Sequence, residues 1–497
     1  MASAWLIILT VISAVLILGA TIYVFFLYCH PDDNAYGAGW LAKGLVILSM
    51  SLLWGFVMLL PLDVANSRGE GGGLNMDLAY MIIMILYFLC MVCFLPFTLF
   101  LYETDPDKPL GARICWAFWY TLFLLIAVAG LALIAWGALR EAVISDVTHT
   151  AISQFSRSET AYVTPAQSEL AGRVVYELPP FLFMIVFTVF VGWWLFVGFG
   201  GVGIVALPFD MVLDFYYRPR PRTAVEMAEK KIALRRRCEE LLSYSRTLEG
   251  IYEAQEEEEE KPGLITRWRA ARKSKSKEGK LKRELAILEE EYEIFEVEST
   301  LTANPLLAWA KLIAGCLLAI LSFVLVLHLL VYNIIVINGK PADQFLNKVL
   351  FWFEFSIARF ISTFVFAGLS VYLVFAVMKG NFKVGLRLFF LIQVHPMKLN
   401  RTYMNTFLFN TILIMFSTLG SIHFIILLFA DYMRLTTGLT IFGVLLTKLT
   451  FLRGFWQYKV FLYAFLIVAV ITFVVLLLKP KSDRMDIKAM IARRKNL

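Results

Sequence analysis

The chain contains nine apolar stretches, and each is long enough to cross the hydrocarbon core of a bilayer as a helix, which takes about 20 residues. Hydrophobic residues make up 59% of the sequence and charged residues 17%, whereas soluble domains have roughly 45–50% apolar and about 25% charged residues. A soluble core could not bury this much apolar surface, so the sequence predicts an all-α polytopic membrane protein. The predicted spans are 4–28, 39–62, 77–102, 113–137, 177–207, 306–336, 348–377, 404–430 and 458–478.

A charged segment separates the first five spans from the last four. Residues 208–304 hold 19 of the 46 Lys and Arg residues and 21 of the 39 Asp and Glu residues. The predicted organisation is a five-helix membrane region (1–207), this charged insert (208–304), a four-helix membrane region (305–478) and a basic tail (479–497).

Within the insert, apolar residues recur with heptad spacing in two places, which is typical of coiled-coil helices. The first seam contains Met227, Leu234, Leu241 and Leu248, with Lys231, Cys238, Ser245 and Tyr252 at the partner positions. The second seam contains Leu281, Leu285, Leu288, Tyr292 and Phe295. We predict an antiparallel helical hairpin in which the two seams pack on each other; a dimeric coiled coil is the alternative.

The distribution of Lys and Arg predicts the orientation, because cytosolic loops carry the excess of positive charge. The 379–401 connection holds five Lys and Arg residues and the tail from Lys479 holds seven, whereas the 138–176 loop holds three. The tail and the insert are therefore predicted to be cytosolic, and the N-terminus lumenal or outside.

Ionisable residues inside the predicted spans are costly unless each is paired or faces water, and four of them are the candidates for a polar site. Arg359 and Glu354 lie in the seventh span, His328 in the sixth and His423 in the eighth. One hypothesis is a polar pathway or ligand pocket formed by these four side chains. The other is interhelical hydrogen bonding that stabilises the bundle.

A basic run with an interfacial tryptophan lies in the insert. It contains Arg267, Trp268, Arg269, Arg272 and Lys273. These side chains have the charge to contact anionic lipid head groups. The alternative is a solvated basic surface that balances the acidic run Glu256–Glu260. Nucleic acid is not expected as the partner of a multispan protein.

The sequence predicts no catalytic residue, no cofactor and no metal site. Gly198–Gly203 matches the letters G-x-G-x-x-G, but it lies inside an apolar helix rather than a strand–turn–helix unit, so close helix packing is the better interpretation. Cys90 and Cys93 have CxxC spacing within another apolar helix, which indicates buried packing cysteines.

Short strings spread along the chain resemble the limb-region-1-like membrane protein family, of the lipocalin-interacting membrane receptor (LIMR) type, and plant-type LIMR proteins in particular. They lie at 28–33, 62–66, 102–108, 200–204, 395–398, 404–410 and 452–460. The motif positions within them include Asp63, Asn66, Gly200, Gly201, Gly203, His395, Pro396, Lys398, Asn405 and Asn410. The resemblance implies nine spans, an outside N-terminus, a cytosolic coiled-coil insert and no enzyme activity.

Two classes of function fit these features. The first is a receptor or adaptor in the plasma or endolysosomal membrane, whose outer loops (138–176 and 431–457) bind a ligand, lipocalin-like by family analogy, and whose insert recruits cytosolic trafficking or signalling proteins. The second is a transporter or channel-like protein that moves a lipid or small solute past Arg359 and Glu354. An escort subunit for another membrane transporter is a further alternative.

Overall fold

The structure is a computed structural model. It describes residues 4–30, 39–68, 73–105, 108–144, 174–216, 224–257, 305–337, 340–356, 359–384, 387–388, 392–393 and 402–478, together with helical positions within 279–295.

The described chain contains nine helical segments long and apolar enough to span a membrane, which confirms the predicted all-α polytopic class. The spans are Thr10–Tyr28, Trp40–Ser67, Met76–Glu103, Leu110–Leu139, Pro180–Leu213, Ala308–Ile334, Phe360–Val384, Met404–Leu428 and Val460–Leu478. The helices are α1 (Ala4–Tyr28), α2 (Gly39–Arg68), α3 (Met76–Phe88), α4 (Leu95–Glu103), α5 (Leu110–Leu139), α6 (Pro180–Tyr216), α7 (Ala224–Glu257), α8 (Pro305–His328), α9 (Phe345–Ser356), α10 (Arg359–Val384), α11 (Met404–Leu428), α12 (Leu446–Lys448), α13 (Arg453–Gln457) and α14 (Val460–Leu478).

The predicted bounds of the seventh span, 348–377, are wrong. The first part of that stretch belongs to the separate helix α9, and the spanning helix α10 begins at Arg359 and continues to Val384. With 12 residues, α9 is about 18 Å long, well short of the roughly 30 Å of hydrocarbon in a bilayer. The two helices are both apolar, so their sequences merge into one hydropathic stretch.

Three π-helical segments occur among the described residues: Leu89–Phe94 between α3 and α4, Leu329–Ile334 after α8, and Leu439–Leu445 before α12. The first contains both cysteines of the CxxC pattern. Cys90 is buried and Cys93 is half-buried, and both are free thiols. Their placement agrees with the packing interpretation.

The core of the membrane region is centred on α11. Buried residues make up 83% of its spanning window, whereas the window of α5 contains none. Helix α11 packs against α2, α4 and α10. We infer that α11 is enclosed by other spans and that α5 faces the lipid.

Glycines allow α6 to approach two other helices closely. A Cβ added to Gly203 would overlap the Ala376 carbonyl oxygen of α10, and one added to Gly201 would lie 2.8 Å from Val468 in α14. A Cβ at Gly380 would overlap the Phe199 carbonyl oxygen in the same way. This agrees with the close-packing interpretation of the Gly198–Gly203 run, although nothing lies within 4 Å of a Cβ at Gly198.

Short strands lie at the helix ends. Strands β1 (Glu141–Ile144) and β2 (Val174–Glu177) form an antiparallel ribbon. Two-residue ladders pair β3 (Val336–Ile337) with β4 (Lys340–Pro341) and β5 (Arg387–Leu388) with β6 (Ile392–Gln393).

The chain divides into two compact units, Met1–Leu207 with Leu318–Leu477, and Pro208–Leu317 with Leu478–Leu497. The second unit contains α7 and the helical positions of 279–295. Within this unit, the guanidinium of Arg237 in α7 contacts the 279–295 positions: it donates to Glu291 at 3.0 Å and to Glu284 at 3.1 Å. The predicted hairpin as a whole stays a prediction, since 258–278 lies outside the described residues.

The first predicted seam is correct at its leucine and methionine positions and at one partner position, and the side chains of Leu248 and Tyr252 lie outside the described part of the chain. Met227, Leu234 and Leu241 are partly buried, but the predicted partner positions Lys231 and Cys238 are exposed. In the first two heptads the partly buried partner positions are instead Lys230 and Arg237, one residue earlier, whereas in the third heptad the predicted partner Ser245 is partly buried.

The second seam is also only partly correct. Leu288 and Phe295 are 7% and 9% exposed, whereas Leu285 and Tyr292 are 55% and 58% exposed. The positions of Leu285 and Tyr292 in the predicted seam are therefore wrong. Ion pairs explain why Arg237 is only 40% exposed. Its guanidinium pairs with both Glu284 and Glu291, which lie seven residues apart. The long apolar stem of an arginine can pack like a hydrophobic residue while its head stays paired.

Candidate functional site

Polar side chains from three elements bind the C-terminal carbonyl groups of α11. Nε2 of His328 lies 3.0 Å from the Leu428 carbonyl oxygen, and Nδ2 of Asn347 donates to the same oxygen at 3.3 Å. Nδ2 of Asn333 donates to the Leu427 carbonyl at 3.1 Å. The last four carbonyls of a helix have no intrahelical partner. We interpret His328 as part of a side-chain cap of α11.

Asn347 also binds the chain that follows α11. The backbone N–H of Tyr432 donates to Oδ1 of Asn347 at 3.3 Å, and the hydroxyls of Tyr432 and Ser362 lie 2.7 Å apart. Ser362 in turn donates to the Leu350 carbonyl at 2.7 Å. This network connects α9, α10 and residue 432. These residues were not among the candidates predicted from the sequence; their signal was an asparagine and a serine within otherwise apolar segments.

His423 belongs to a different contact group, in the interior of the bundle. Its Nδ1 accepts a 2.8 Å hydrogen bond from Nε1 of Trp193. Its ring lies edge-on to Trp456, with 4.7 Å between the ring centroids. These are interhelical packing contacts. The geometry brings His423 together with aromatic rings and places His328 in the cap of α11.

Arg359 and Glu354 lie in two successive helices. Arg359 is the first residue of α10, ahead of the span Phe360–Val384, and Glu354 is in α9. The prediction that Arg359 lies near the middle of a span is therefore wrong. The argument for an intramembrane charge at this position no longer holds, because α10 starts with Arg359. The side chain of Arg359 lies outside the described part of the chain.

The motif residues Asp63 and Asn66 lie near the C-terminal end of α2, and each forms hydrogen bonds with another segment of the chain. Asp63 is 2% exposed, and its Oδ2 accepts a 2.7 Å hydrogen bond from the Gly438 N–H. Asn66 bonds both the carbonyl and the N–H of Leu74, at 3.1 and 3.2 Å. Asp63 thus links two segments that are 375 residues apart, and Asn66 connects the end of α2 to Leu74, two residues before α3.

Other motif residues lie near the start of α11 and the ends of α1 and α4. Nδ2 of Asn405 donates to Glu103 at 3.5 Å, and the rings of His30 and Tyr403 are stacked with 4.9 Å between centroids. Asn410 donates to the Thr406 carbonyl in its own helix. His395, Pro396 and Lys398 lie outside the described residues, as does the basic run with Arg267, Trp268, Arg269, Arg272 and Lys273.

Two segments predicted to lie on the outer side of the membrane are joined in the structure. The N–H of Thr450 donates to the Glu141 carbonyl at 2.9 Å, and Ala142 and Leu449 form an isolated antiparallel bridge. Arg140 closes the ribbon by pairing with Glu177 at 3.2 Å. The ribbon β1–β2 and the 446–452 segment therefore form one surface, which we call the joined-loop surface.

Charged groups outside the spans lie near this end of the bundle. The hydrogen bond from the Lys348 ammonium lowers the pKa of Asp343 below its ordinary value. Burial lowers the pKa of Lys459, whose Nζ lies 3.5 Å from the Ile334 carbonyl oxygen. The backbone of Lys459 has a φ of 53°, in the left-handed region that costs a non-glycine residue about 1–2 kcal/mol. Tertiary contacts therefore impose this conformation.

Among the described residues, no group of three or more His, Cys, Asp or Glu side chains is arranged to hold a metal ion.

Comparison with known proteins relates most of the chain to one family. The family model described as LMBR1-like membrane protein matches residues 6–288. A LIMR family protein of Dictyostelium discoideum is 29% identical, over 97% of this chain and 99% of the relative. LIMR family proteins of Oryza sativa subsp. japonica and Arabidopsis thaliana are 30% and 29% identical, each over 94% of both chains. No solved structure matches. The chain belongs to the LMBR1-like membrane protein family.

Proposed function

We propose that this protein is a membrane receptor or adaptor of the LIMR type, with the joined-loop surface on the outer or lumenal side and the charged insert in the cytosol. In this proposal the surface binds an outer ligand or partner, and the insert recruits trafficking or signalling proteins. The plasma membrane or an endolysosomal membrane is the proposed location.

The observation that supports the proposal is the bond between Thr450 and the Glu141 carbonyl. Binding residues are carried disproportionately by loops that a rigid scaffold positions, and two such loops joined to each other present one surface to a ligand. This bond and the bridge between Ala142 and Leu449 join loops that lie more than 300 residues apart.

The polar residues of the bundle favour the receptor or adaptor proposal over a solute pathway. His328 and His423 are each engaged with groups of neighbouring helices, a backbone carbonyl in one case and an indole N–H in the other. A conducting path needs polar groups that face water or a cavity. We therefore rank solute transport second, together with an escort role for another transporter.

The experiment compares Thr450→Pro with Thr450→Ala in proximity labelling from an enzyme fused to the N-terminus. Proline removes the N–H that bonds Glu141, whereas alanine keeps it. We expect a set of outer or lumenal partners to be labelled by the wild type and Thr450→Ala, and to be reduced severalfold in correctly localised Thr450→Pro. Equal labelling in all three proteins contradicts the proposal. Solute flux by the protein reconstituted in vesicles would favour the transporter instead.

A further inference from the structure

One face of the second helix of the insert is in contact with α7. This helix consists of the described helical positions of 279–295, and we call it the second-seam helix. Its Leu288 and Phe295 are 7% and 9% exposed, and its Glu284 and Glu291 pair with Arg237 of α7. At about 100° per residue, these four side chains of the second-seam helix lie within an arc of about 60°. This arc is the face that the insert uses internally.

A second apolar stripe on the same helix lies outside that arc. Leu285 and Tyr292 are seven residues apart and therefore lie on one side of the helix, about 80° from the middle of the arc. They are 55% and 58% exposed. Heptad spacing of apolar residues is typical of a helix that packs against another helix, and here the heptad includes two residues that α7 leaves exposed. We call Leu285 and Tyr292 the exposed stripe.

The charges beside the exposed stripe change sign along the sequence. Residues 280–283, on the N-terminal side of Leu285, contain three basic residues and no acidic residue. Residues 289–298, which include Tyr292, contain six glutamates and no basic residue. Charged residues that flank an apolar seam select the partner helix and its direction. A parallel copy would place acidic residues beside acidic residues, whereas an antiparallel copy places the basic end beside the acidic end. The stripe is therefore complementary in charge to an antiparallel copy of itself.

The same charges disfavour the bilayer as the partner of the stripe. The cytoplasmic leaflet is negatively charged and attracts basic segments, whereas the stripe ends in a run with six glutamates. A second copy of the chain also meets the symmetry requirement of a dimer, because a two-fold interface uses the same patch on both subunits. In an antiparallel pair, Leu285 of each copy contacts Tyr292 of the partner copy.

We propose that this surface is a homodimer interface, in which the exposed stripes of two copies of the chain pack against each other in antiparallel orientation. Residues 280–283 of each copy then lie beside the glutamates of the partner copy, and each second-seam helix keeps its own contact with α7. The proposal does not involve the joined-loop surface, so it stands or fails separately from the proposed receptor function.

Cysteine crosslinking tests the direction of the two helices. Leu285→Cys and Tyr292→Cys are made separately, with different tags, in the full-length protein with its exposed cysteines Cys115, Cys238 and Cys316 replaced by serine. An antiparallel pair places Leu285 next to Tyr292 of the partner copy. The two Leu285 residues then lie about 10 Å apart along the helix axis, beyond the roughly 4.4–6.8 Å between Cα atoms that a disulfide spans.

We expect mild oxidation of membranes to give a disulfide-linked dimer when the two cysteine variants are coexpressed, and severalfold less of it when either is expressed alone. Linked dimers that form equally well with one variant alone would show a parallel pair and overturn the proposal. The absence of a linked dimer from the coexpressed sample overturns it as well.

The mass of the purified protein in detergent, measured by light scattering, tests the stripe without cysteines. We expect the wild type to be a dimer and the double variant Leu285→Ser with Tyr292→Ser to be a monomer. Ile287→Ser is the matched control and should stay dimeric, because Ile287 is an apolar residue of the same helix, 43% exposed and about 150° round the helix from the stripe. Hydrogen–deuterium exchange of α7 should be the same in all three proteins, which shows that the insert is folded. A monomeric wild type, or a double variant as dimeric as the wild type, overturns the proposal.

Discussion

The indole N–H of Trp193 in α6 donates a 2.8 Å hydrogen bond to Nδ1 of His423 in α11. Both side chains are fully buried. An imidazole whose Nδ1 accepts a bond carries its proton on Nε2, and protonation of Nδ1 would place two donors against each other. The hydrogen bond therefore fixes the tautomer of His423 while it connects two spans.

We expect His423→Leu to destabilise the protein by about 1–3 kcal/mol, because the Trp193 N–H is left buried without an acceptor. The double variant with Trp193→Phe should lose less than the sum of the two single variants, by at least about 0.5 kcal/mol. Thermal unfolding of the purified protein in detergent measures both. Trp194→Phe is the control, since Trp194 is 58% exposed. Strict additivity would show that the two residues are not coupled.

The insert provides a pair of matched leucines. Leu288→Asp should disrupt packing between α7 and the second seam, because Leu288 is 7% exposed, whereas Leu285→Asp should have little effect, because Leu285 is 55% exposed. Hydrogen–deuterium exchange of the full chain should rise in α7 for the first variant alone. Equal effects of the two variants would support the seam predicted from the sequence, which contains both leucines.

The contact between Gly438 and Tyr80 predicts a suppressor. A Cβ on Gly438 would lie 2.6 Å from the Tyr80 hydroxyl oxygen, so Gly438→Ala should cost about 1–3 kcal/mol as overpacking. Tyr80→Phe removes that oxygen and should restore part of the loss. Gly454→Ala is the control, since nothing lies within 4 Å of its Cβ. Thermal unfolding reports each variant, and a Gly438→Ala protein as stable as the wild type would contradict the close contact.

Lys459 should make stability depend on alkaline pH. Burial lowers the pKa of its ammonium below the ordinary value. Between the folded and unfolded pKa values the unfolded chain binds more protons, so stability rises with pH through that window and levels off above about 10.4. In Lys459→Met this contribution to the rise should be absent. Thermal unfolding from neutral to alkaline pH compares the two proteins, and identical slopes would show that Lys459 does not contribute.

The predicted topology is tested with epitope tags. Tags within 258–278 and at the C-terminus should be cut by protease added to the cytosolic side, and a tag within 145–173 should be protected, because Lys and Arg concentrate in the first two segments. The reverse pattern would show that the orientation is opposite to the predicted one and that the joined-loop surface lies in the cytosol.

The sequence by itself determined the class of the protein and the number of its spans. A stretch of about 20 apolar residues inserts into a bilayer on its own composition, so 404–430 and 458–478 were recognisable without any partner. It also predicted that the glycines of α6 pack rather than bind a nucleotide, because a spanning helix leaves no room for a strand–turn–helix unit.

Tertiary structure decided which polar groups meet and where merged apolar segments divide. Hydropathy does not distinguish one span from two successive apolar helices, so Arg359 was placed inside a span that in fact starts beside it. Heptad spacing predicted Cys238 as a partner position, whereas in the structure Arg237 makes the contact, with Glu284 and Glu291. The partners of His423 and Asp63 lie 230 and 375 residues away. Such pairs form because buried donors and acceptors must be satisfied wherever the packed helices bring them together, and that depends on packing across the whole bundle rather than on local sequence.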